Sequence, residues 1–262
     1  MSIIQGTAKG GVVAASFYDY PIEDSLRFDG SSYLTSSNTT TNGSSTTWTW
    51  SAWVKRNKLG AAQTLFEAFW LSNSYDRIGF LSGDTLYTIV YVGANAKSNV
   101  SSEVFRDTSA WYHIVWVWDT QNTDVNLRNI IYVNNNLLNK ASGTAPALSS
   151  SADSMNKFGA RPHVIGYHGY SSTEYSDLYL ANIQFIDGQA LDASYFGETK
   201  DDIWIPKTFD GTSSTGGSTV STDYGTNGFL LDFSSISGTT INDTAPIDTN
   251  HSSANNWTAT GF

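Results

Sequence analysis

The fold of this chain is decided by one stretch, WTWSAWVK at residues 48–55. Its side chains alternate between two faces, because successive residues of an extended strand point in opposite directions. One face carries Trp48, Trp50, Ala52 and Val54, and the other carries Thr49, Ser51, Trp53 and Lys55. The alternation predicts a half-buried strand. Trp53 is the exception on the polar face, and another segment either covers it or leaves it exposed.

Further strands are predicted on both sides of this stretch. Residues 111–119, WYHIVWVWD, are rich in aromatic and β-branched residues, which favours a central position in a sheet. Shorter candidates follow between loops of Gly, Asn, Ser and Asp, at residues 25–30, 64–68, 77–81, 86–92, 103–106, 129–135, 163–166 and 177–186. Only residues 191–197 indicate a helical turn. Many short strands separated by such loops are typical of an all-β sandwich or barrel.

The charge and cysteine content exclude several classes of function. The 262 residues include 14 Lys and Arg against 24 Asp and Glu, a net charge of -10. Because the basic residues are few and scattered, we expect no nucleic-acid partner. With no cysteine, disulfides and thiolate metal sites are excluded. No apolar run reaches the roughly 18 residues of a membrane span, so we expect no membrane insertion.

Composition divides the chain into three parts. Residues 1–24 begin with a small, Gly- and Ala-rich segment and are predicted to form an N-terminal arm. Residues 25–197 hold the predicted strands of the sandwich. Residues 198–262 contain a low-complexity run and scattered apolar residues, which predicts a C-terminal extension that packs on the sandwich or on a neighbouring subunit.

The order of several short motifs resembles the laminin-G and pentraxin-like branch of the concanavalin A-like lectin/glucanase superfamily. The motifs are LRFDG at 26–30, WSAWVK at 50–55, WYHIV at 111–115, YVNN at 132–135, VIG at 164–166 and LANIQF at 180–185. The resemblance implies a jelly-roll β-sandwich. One departure is Asn135 where the family normally has Gly, and Asn also accepts the left-handed backbone conformation.

A second resemblance concerns the later part of the chain, which looks similar to structural proteins of marine tailed phages. It rests on FIDGQALD at 185–192, YFGE at 195–198, GTNGF at 225–229 and NWT at 256–258. This resemblance implies a virion component, either a head-decorating protein or a tail-fibre adhesin. We therefore expect a protein made in the host cytoplasm without a signal peptide and displayed on the virion surface.

Catalytic patterns are weak, and we expect a protein that is not an enzyme. Sandwich glucanases use carboxylates that alternate along one strand, and no Glu-x-Asp-x-x-Glu run occurs in the sequence. None of the four histidines lies beside a Gly-x-Ser-x-Gly motif, and His113 is read as a packed or surface strand residue. A polysaccharide-degrading glycoside hydrolase stays as one alternative.

Two loops offer what a sugar site needs, an aromatic platform beside groups that exchange hydrogen bonds with hydroxyls. These loops lie at residues 69–76 and 167–175. The candidate carbohydrate-binding residues are Trp70, Asn73, Tyr75, Asp76, Tyr167, His168, Tyr170 and Tyr175. The competing interpretation is that these aromatic side chains only cover the ends of the sandwich.

No cofactor is required by the sequence, although calcium is left open. Members of the resembling family often hold Ca²⁺ at the rim of the sandwich through Asp and Asn oxygens. Asp76 and Asp177 are the candidate metal ligands.

The leading hypothesis is a virion protein that contributes weak attachment to a host surface glycan, with other capsid or tail proteins as partners. A homo-oligomer is expected, and a homotrimer is the specific guess. The second hypothesis is a structural decoration or cement protein without a sugar site.

Overall fold

The computed structural model describes residues 17–36, 42–71, 74–93, 95–150, 162–217, 219–247 and 254–262, without the side chains of Trp70 and Leu71. Over these residues the chain is an all-β, antiparallel sandwich consistent with the jelly roll, which confirms the predicted fold class. Most of the predicted N-terminal arm, residues 1–16, lies outside the described residues. The described part contains no helix that is long and apolar enough to cross a bilayer.

The strands are numbered in chain order. They are β1 (Leu26–Asp29), β2 (Tyr33–Ser36), β3 (Thr47–Arg56), β4 (Gln63–Leu71), β5 (Ser74–Phe80), β6 (Thr85–Val92), β7 (Asn95–Val104), β8 (Tyr112–Asp119), β9 (Asn129–Val133), β10 (Asn136–Leu137), β11 (Lys140–Ser142), β12 (His163–Ile165), β13 (Asp177–Asp187), β14 (Gly197–Lys200), β15 (Ile203–Pro206), β16 (Phe229–Leu231), β17 (Ile236–Ser237), β18 (Thr240–Ile241) and β19 (Trp257–Thr260). Among the described residues, two short 3-10 helices lie at Val125–Leu127 and Ala193–Tyr195, and the second falls within the predicted helical turn.

The described strands form two large sheets and one hairpin. The seven-stranded sheet has the order β1-β13-β3-β8-β9-β10, and β16 also pairs with β13. The ten-stranded sheet has the order β11-β7-β6-β5-β4-β12-β2-β19-β18-β17, while β14 and β15 pair only with each other. Strands β16 to β19 come from the predicted C-terminal extension, so that segment contributes to both sheets. The predicted three-part division of the chain stays a prediction.

Trp48 and Trp50 of the deciding stretch and Trp116 and Trp118 of the neighbouring strand β8 lie in the space between the sheets. Trp48 contacts Trp116 edge to face at 4.4 Å, and Trp50 stacks on Phe66 of the facing sheet at 6.1 Å. All of these side chains are buried. Since full burial of a large apolar side chain contributes roughly 1.5–3 kcal/mol, this cluster is the main source of stability at the centre of the fold.

A second apolar layer covers the outer face of the seven-stranded sheet. Val115, Val117 and Ile186 of that face pack against a covering segment, defined here as the described residues of 191–224. Its apolar members are Leu191, Ala193, Tyr195, Phe196, Phe209 and Tyr224. Trp53 is only 8% exposed and stacks on His113 at 4.9 Å. The open question about Trp53 is thus answered, because another segment covers its face of the sheet.

The turn between β9 and β10 explains the departure at Asn135. Asn134 and Asn135 have φ angles of 47° and 66°, both in the left-handed region. Asn enters this region more readily than other non-Gly residues. The expectation that Asn replaces Gly here without loss of the turn is confirmed.

Candidate functional site

The outer face of the ten-stranded sheet carries two rows of polar and aromatic side chains. On β5, Ile78 and Phe80 point into the core, so the alternating residues Tyr75 and Arg77 point outward. The strand register sets Tyr75 beside Phe69 and Tyr91, and sets Arg77 beside Glu67 and Ile89. Neighbouring strands therefore build one row around Tyr75 and a second row around Arg77.

A loop at residues 166–176, here called the tyrosine loop, crosses these rows. Backbone hydrogen bonds connect the loop to β4, from Gly166 N to Leu65 O at 3.2 Å and from Thr64 N to Glu174 O at 2.9 Å. The loop lies close to the sheet at Gly169, where an added Cβ would come within 2.3 Å of the Phe69 ring. Only glycine permits this approach, which accounts for Gly169 in an otherwise polar and aromatic loop.

The loop brings its aromatic side chains beside those of the strands. Tyr167 lies 4.3 Å from Tyr33 and stacks on Tyr175 at 5.4 Å, measured between ring centroids. Tyr75 contacts Tyr91 at 5.4 Å and His168 at 5.3 Å. We call these two groups of rings, together with Tyr170 of the same loop, the tyrosine surface, and it comprises Tyr33, Tyr75, Tyr91, Tyr167, His168, Tyr170 and Tyr175.

Exposure differs among the members of the tyrosine surface. Tyr170 is 52% exposed at the tip of the loop, whereas Tyr167 is 9% exposed beneath its neighbours. Burial raises the pKa of Tyr167 to about 12 and also raises the pKa of Tyr75. These phenols consequently stay neutral at physiological pH, and a neutral phenol both donates and accepts hydrogen bonds.

Two hydrogen-bonded pairs of ionisable side chains lie between the loop and the sheet. His168 Nδ1 donates to Glu67 Oε2 at 2.7 Å, and Arg77 Nη1 donates to Glu174 Oε2 at 2.7 Å. The Glu67 side chain is fully buried, and burial raises its pKa while the hydrogen bond from His168 acts against this rise. Glu174 has a φ angle of 53°, a left-handed conformation that costs free energy in a residue other than glycine. The pairs hold the tyrosine loop in this conformation.

The structure brings together five of the eight predicted sugar-binding residues. Tyr75, Tyr167, His168, Tyr170 and Tyr175 all belong to the tyrosine surface. Asp76 lies apart from it, because it alternates with Tyr75, is 2% exposed and lines an internal cavity with Trp48 and His163. Trp70 lies in β4 with its side chain not described, and Asn73 is outside the described residues.

Sequence reasoning missed Tyr33, Tyr91 and the charged residues Glu67 and Arg77. Alternation within each strand could have assigned Arg77 to the same face as Tyr75. No signal in the sequence gives the register that sets β4, β5 and β6 side by side, and none indicates that β2 reaches the loop.

The two candidate calcium ligands lie apart. Asp177 accepts hydrogen bonds from Arg27 Nη2 at 2.7 Å and from Asn57 Nδ2 at 2.8 Å. The backbone N of Asp177 donates to the side chain of Gln63, and Gln63 of β4 pairs with Phe80 of β5. Asp76 lies four residues before Phe80, which is about 13 Å along an extended strand. Among the described residues, no three His, Cys, Asp or Glu side chains converge on a possible metal position. Calcium binding stays a prediction.

His113 lies on the other sheet, in a buried hydrogen-bonded position. Trp204 Nε1 donates to His113 Nδ1 at 3.0 Å, so the proton of the neutral ring is on Nε2, which donates to Ser51 Oγ at 2.9 Å. Burial lowers the pKa of His113 to about 3. The ring is fully buried and stays neutral, which fits a packed strand residue and not a general base.

A polar groove of about 390 Å³ lies at the end of β13, where the loop before β3 meets the chain after residue 220. Asp187 in this groove accepts hydrogen bonds from Ser44 N at 2.7 Å and from Asn227 N at 3.0 Å. Gln189 donates to two backbone carbonyls, those of Ser221 and Asp223. The described lining includes no aromatic side chain, so the groove lacks the platform found on the tyrosine surface.

A protein-family model matches more than half of the chain. The model of the concanavalin A-like lectin/glucanases superfamily matches residues 28–175, which include the end of β1, all of β2 to β12 and most of the tyrosine loop. No curated protein sequence matches the chain.

Solved structures with a similar fold come from bacteria and animals. A putative carbohydrate-binding protein from Bacteroides ovatus has a TM-score of 0.54 at 13% identity, over 90% of this chain and 58% of that one. A native heptameric SAP-like pentraxin from Limulus polyphemus has a TM-score of 0.47 at 18% identity, over 66% of this chain and 79% of that one. Domains LG4-5 of the mouse laminin α1 chain give 0.46 at 12% identity, over 73% of this chain and 46% of that one. The chain thus spans about half the length of the bacterial and laminin structures, and the likeness to the bacterial protein supports the fold.

Proposed function

The chain belongs to the concanavalin A-like lectin/glucanase superfamily, and from this premise we propose that it binds carbohydrate through the tyrosine surface without catalysing a reaction. The observation that carries the proposal is the tyrosine surface itself. Aromatic side chains from three strands and one loop lie side by side on an outward face, next to hydrogen-bonding groups. The similar bacterial structure is described as a putative carbohydrate-binding protein, which adds support at the level of the fold.

The chemistry of the surface suits a sugar ring. An aromatic ring packs against the C–H face of a pyranose, and phenol, imidazole and backbone groups exchange hydrogen bonds with its hydroxyls. Tyr170 is the most exposed of these rings and is therefore the first contact for a ligand. The charged pairs order the loop before binding, which lowers the entropy that a ligand must overcome.

The carboxylates of this face support binding over hydrolysis. A glycoside hydrolase needs two carboxyl groups that reach the glycosidic bond, one as acid and one as base or nucleophile. Glu67 is fully buried, and Glu174 accepts hydrogen bonds from Arg77, Thr64 and Tyr87. Both groups already hold the loop in position, so neither is free to reach a substrate in this arrangement.

The biological setting that we propose is the surface of a tailed-phage virion. Its support is the resemblance of the later motifs, such as FIDGQALD at 185–192, to structural proteins of marine phages. Many copies on one particle raise the effective concentration of each site, so weak individual contacts with a host glycan are sufficient for attachment. Assembly as a homotrimer with other capsid or tail proteins, and occupation of a calcium site, belong to the same proposal.

Glycan-array binding of the isolated protein tests the sugar site. We expect Tyr170→Ala and Tyr75→Ala to weaken binding about fivefold to tenfold, because each removes a stacking ring worth about 1 kcal/mol. Tyr18→Ala is the matched control, since Tyr18 is 37% exposed but is not part of the tyrosine surface. If Tyr170→Ala and Tyr75→Ala give the same glycan signals as the control Tyr18→Ala, the proposed site is wrong.

Antibody labelling of assembled particles tests the virion setting. Regular labelling over the head together with unchanged binding in the two tyrosine variants would instead favour a structural cement protein. Release of reducing sugar from a bound polysaccharide would favour the glycoside hydrolase.

A further inference from the structure

We infer that the tyrosine surface selects uncharged saccharides and discriminates against sialylated, sulfated or uronic-acid glycans. The inference rests on the proposed function, because it names the class of ligand for the same site. The observation that carries it is that the two basic side chains of this face already pair with carboxyl groups of the protein.

The guanidinium of Arg77 is committed to the protein. Its Nη1 donates to Glu174, and its side chain is 10% exposed. The guanidinium also lies over the rings of Tyr75 and Tyr87, at 5.3 Å from each centroid. An anionic ligand that paired with Arg77 Nη1 would have to displace Glu174 and break a charge-assisted hydrogen bond, which is one of the stronger contacts in a protein.

The second cationic candidate is His168, which is directed at Glu67. Its side chain is 12% exposed, and its Nδ1 is occupied by Glu67 Oε2 at 2.7 Å. The His168 ring also contacts the Tyr75 ring in an edge-to-face geometry. A negative group on a ligand that approached His168 would also approach the buried carboxyl group of Glu67 behind the imidazole. If His168 turned away from Glu67 to bind the ligand, Glu67 would stay buried without its partner.

The charge on the face therefore gives an anion no net attraction. Each of the two basic side chains is paired with a carboxyl group of the protein, Arg77 with Glu174 and His168 with Glu67. The whole chain adds a net charge of -10. A carboxylate or sulfate that approaches the described residues of this face gains no unpaired cation and is repelled by the general field. A neutral saccharide needs only stacking and hydroxyl hydrogen bonds, and the tyrosines supply both.

Matched glycan pairs give the test. The wild-type protein is titrated against immobilised oligosaccharides that differ only by a sialic acid or a sulfate, and Tyr170→Ala is measured in parallel to identify binding at this surface. We expect each Tyr170-dependent signal to be at least five times stronger for the neutral member, and to change less than twofold between 50 and 500 mM NaCl. Salt would weaken an interaction that depended on charge.

The outcomes separate the two proposals. Tyr170-dependent binding that is equal or stronger for the anionic member overturns the inference and leaves carbohydrate binding intact. Absence of any Tyr170-dependent signal overturns both.

A charge-releasing variant provides a second, independent measurement. Glu174→Gln keeps the shape of the side chain but frees the charge of Arg77, so we expect the ratio of anionic to neutral binding to rise at least threefold. Glu198→Gln is the matched control, because it removes the same charge from β14, which is not part of either large sheet. An unchanged ratio in Glu174→Gln, with the variant folded by circular dichroism, would contradict the role assigned to the Arg77 pair.

Discussion

The two outer faces of the sandwich differ in how far they are covered by other segments. The seven-stranded sheet has its outer face covered by an apolar layer, in which Phe196 is 1% exposed and Tyr195 is 6% exposed. On the outer face of the ten-stranded sheet, the described residues form no such apolar layer, and the tyrosine loop that crosses it has a tip residue, Tyr170, that is 52% exposed. Aromatic residues are present on both faces, so composition alone does not distinguish them.

The difference lies in what accompanies the aromatic rings. On the covered face, Val115, Val117 and Ile186 surround the rings with apolar contacts, and the polar group of His113 is satisfied internally. On the open face, the rings lie beside charged pairs and the hydroxyl groups of a turn. An aromatic side chain therefore indicates a binding surface only where its neighbours are polar and its segment is not covered.

The largest expected effect is the loss of an aromatic ring from the covered face. Phe196→Ala should lower the free energy of unfolding by about 3–5 kcal/mol, because it removes a buried ring and leaves a cavity between Phe209 and the sheet. Urea denaturation of the purified protein measures this change. A loss below 1 kcal/mol would mean that the covering segment is not firmly packed, and the contrast between the faces would disappear.

An intermediate effect is expected from pH, through His113 on the covered face. Burial lowers the pKa of His113 from 6.5 to about 3, so below pH 6.5 the unfolded chain binds a proton that the folded chain does not. The stability that the residue contributes is complete above pH 6.5 and is lost as the pH falls towards 3. The slope is at most about 1.4 kcal/mol per pH unit.

The pH effect is measured by urea unfolding at pH 7, 6 and 5. His113→Gln retains a polar side chain that does not titrate, so its stability should fall less steeply with acid than that of the wild type. Equal slopes in the two proteins would show that His113 does not stay neutral in the folded state.

The sequence predicted where many strands lie and which side chains share a face, but it did not predict which strands pair in the sheets. Alternation in residues 48–55 correctly placed Trp48 and Trp50 in the core, since a period of two follows from strand geometry alone. The same rule would have separated Asp76 from Tyr75, had the strand been extended back from residue 77 to Ser74. This error arose at the start of β5, where the polar residues Asn73 and Ser74 conceal the boundary in the sequence.

The tyrosine surface could be predicted only in part. The aromatic content of residues 167–175 pointed to Tyr167, Tyr170 and Tyr175, because a loop with so many rings must bury or present them. Tyr33 and Tyr91 join the surface through the order of β2, β12, β4, β5 and β6 in the sheet. Such long-range pairing depends on the packing of the whole chain, and no local pattern encodes it.

The smallest expected effect is on stability, at the open face. Tyr170→Ala should change the free energy of unfolding by less than about 0.5 kcal/mol, since a side chain that is 52% exposed loses few buried contacts when it is truncated. The same urea experiment used for Phe196→Ala measures it under identical conditions. A loss above about 1.5 kcal/mol would mean that Tyr170 packs as a structural cover for the sheet end, and a loss of glycan binding in this variant would then no longer identify a sugar contact. A negligible loss of stability combined with weaker glycan binding would separate the two faces by function, because exposed rings that contribute little to folding remain available to a ligand.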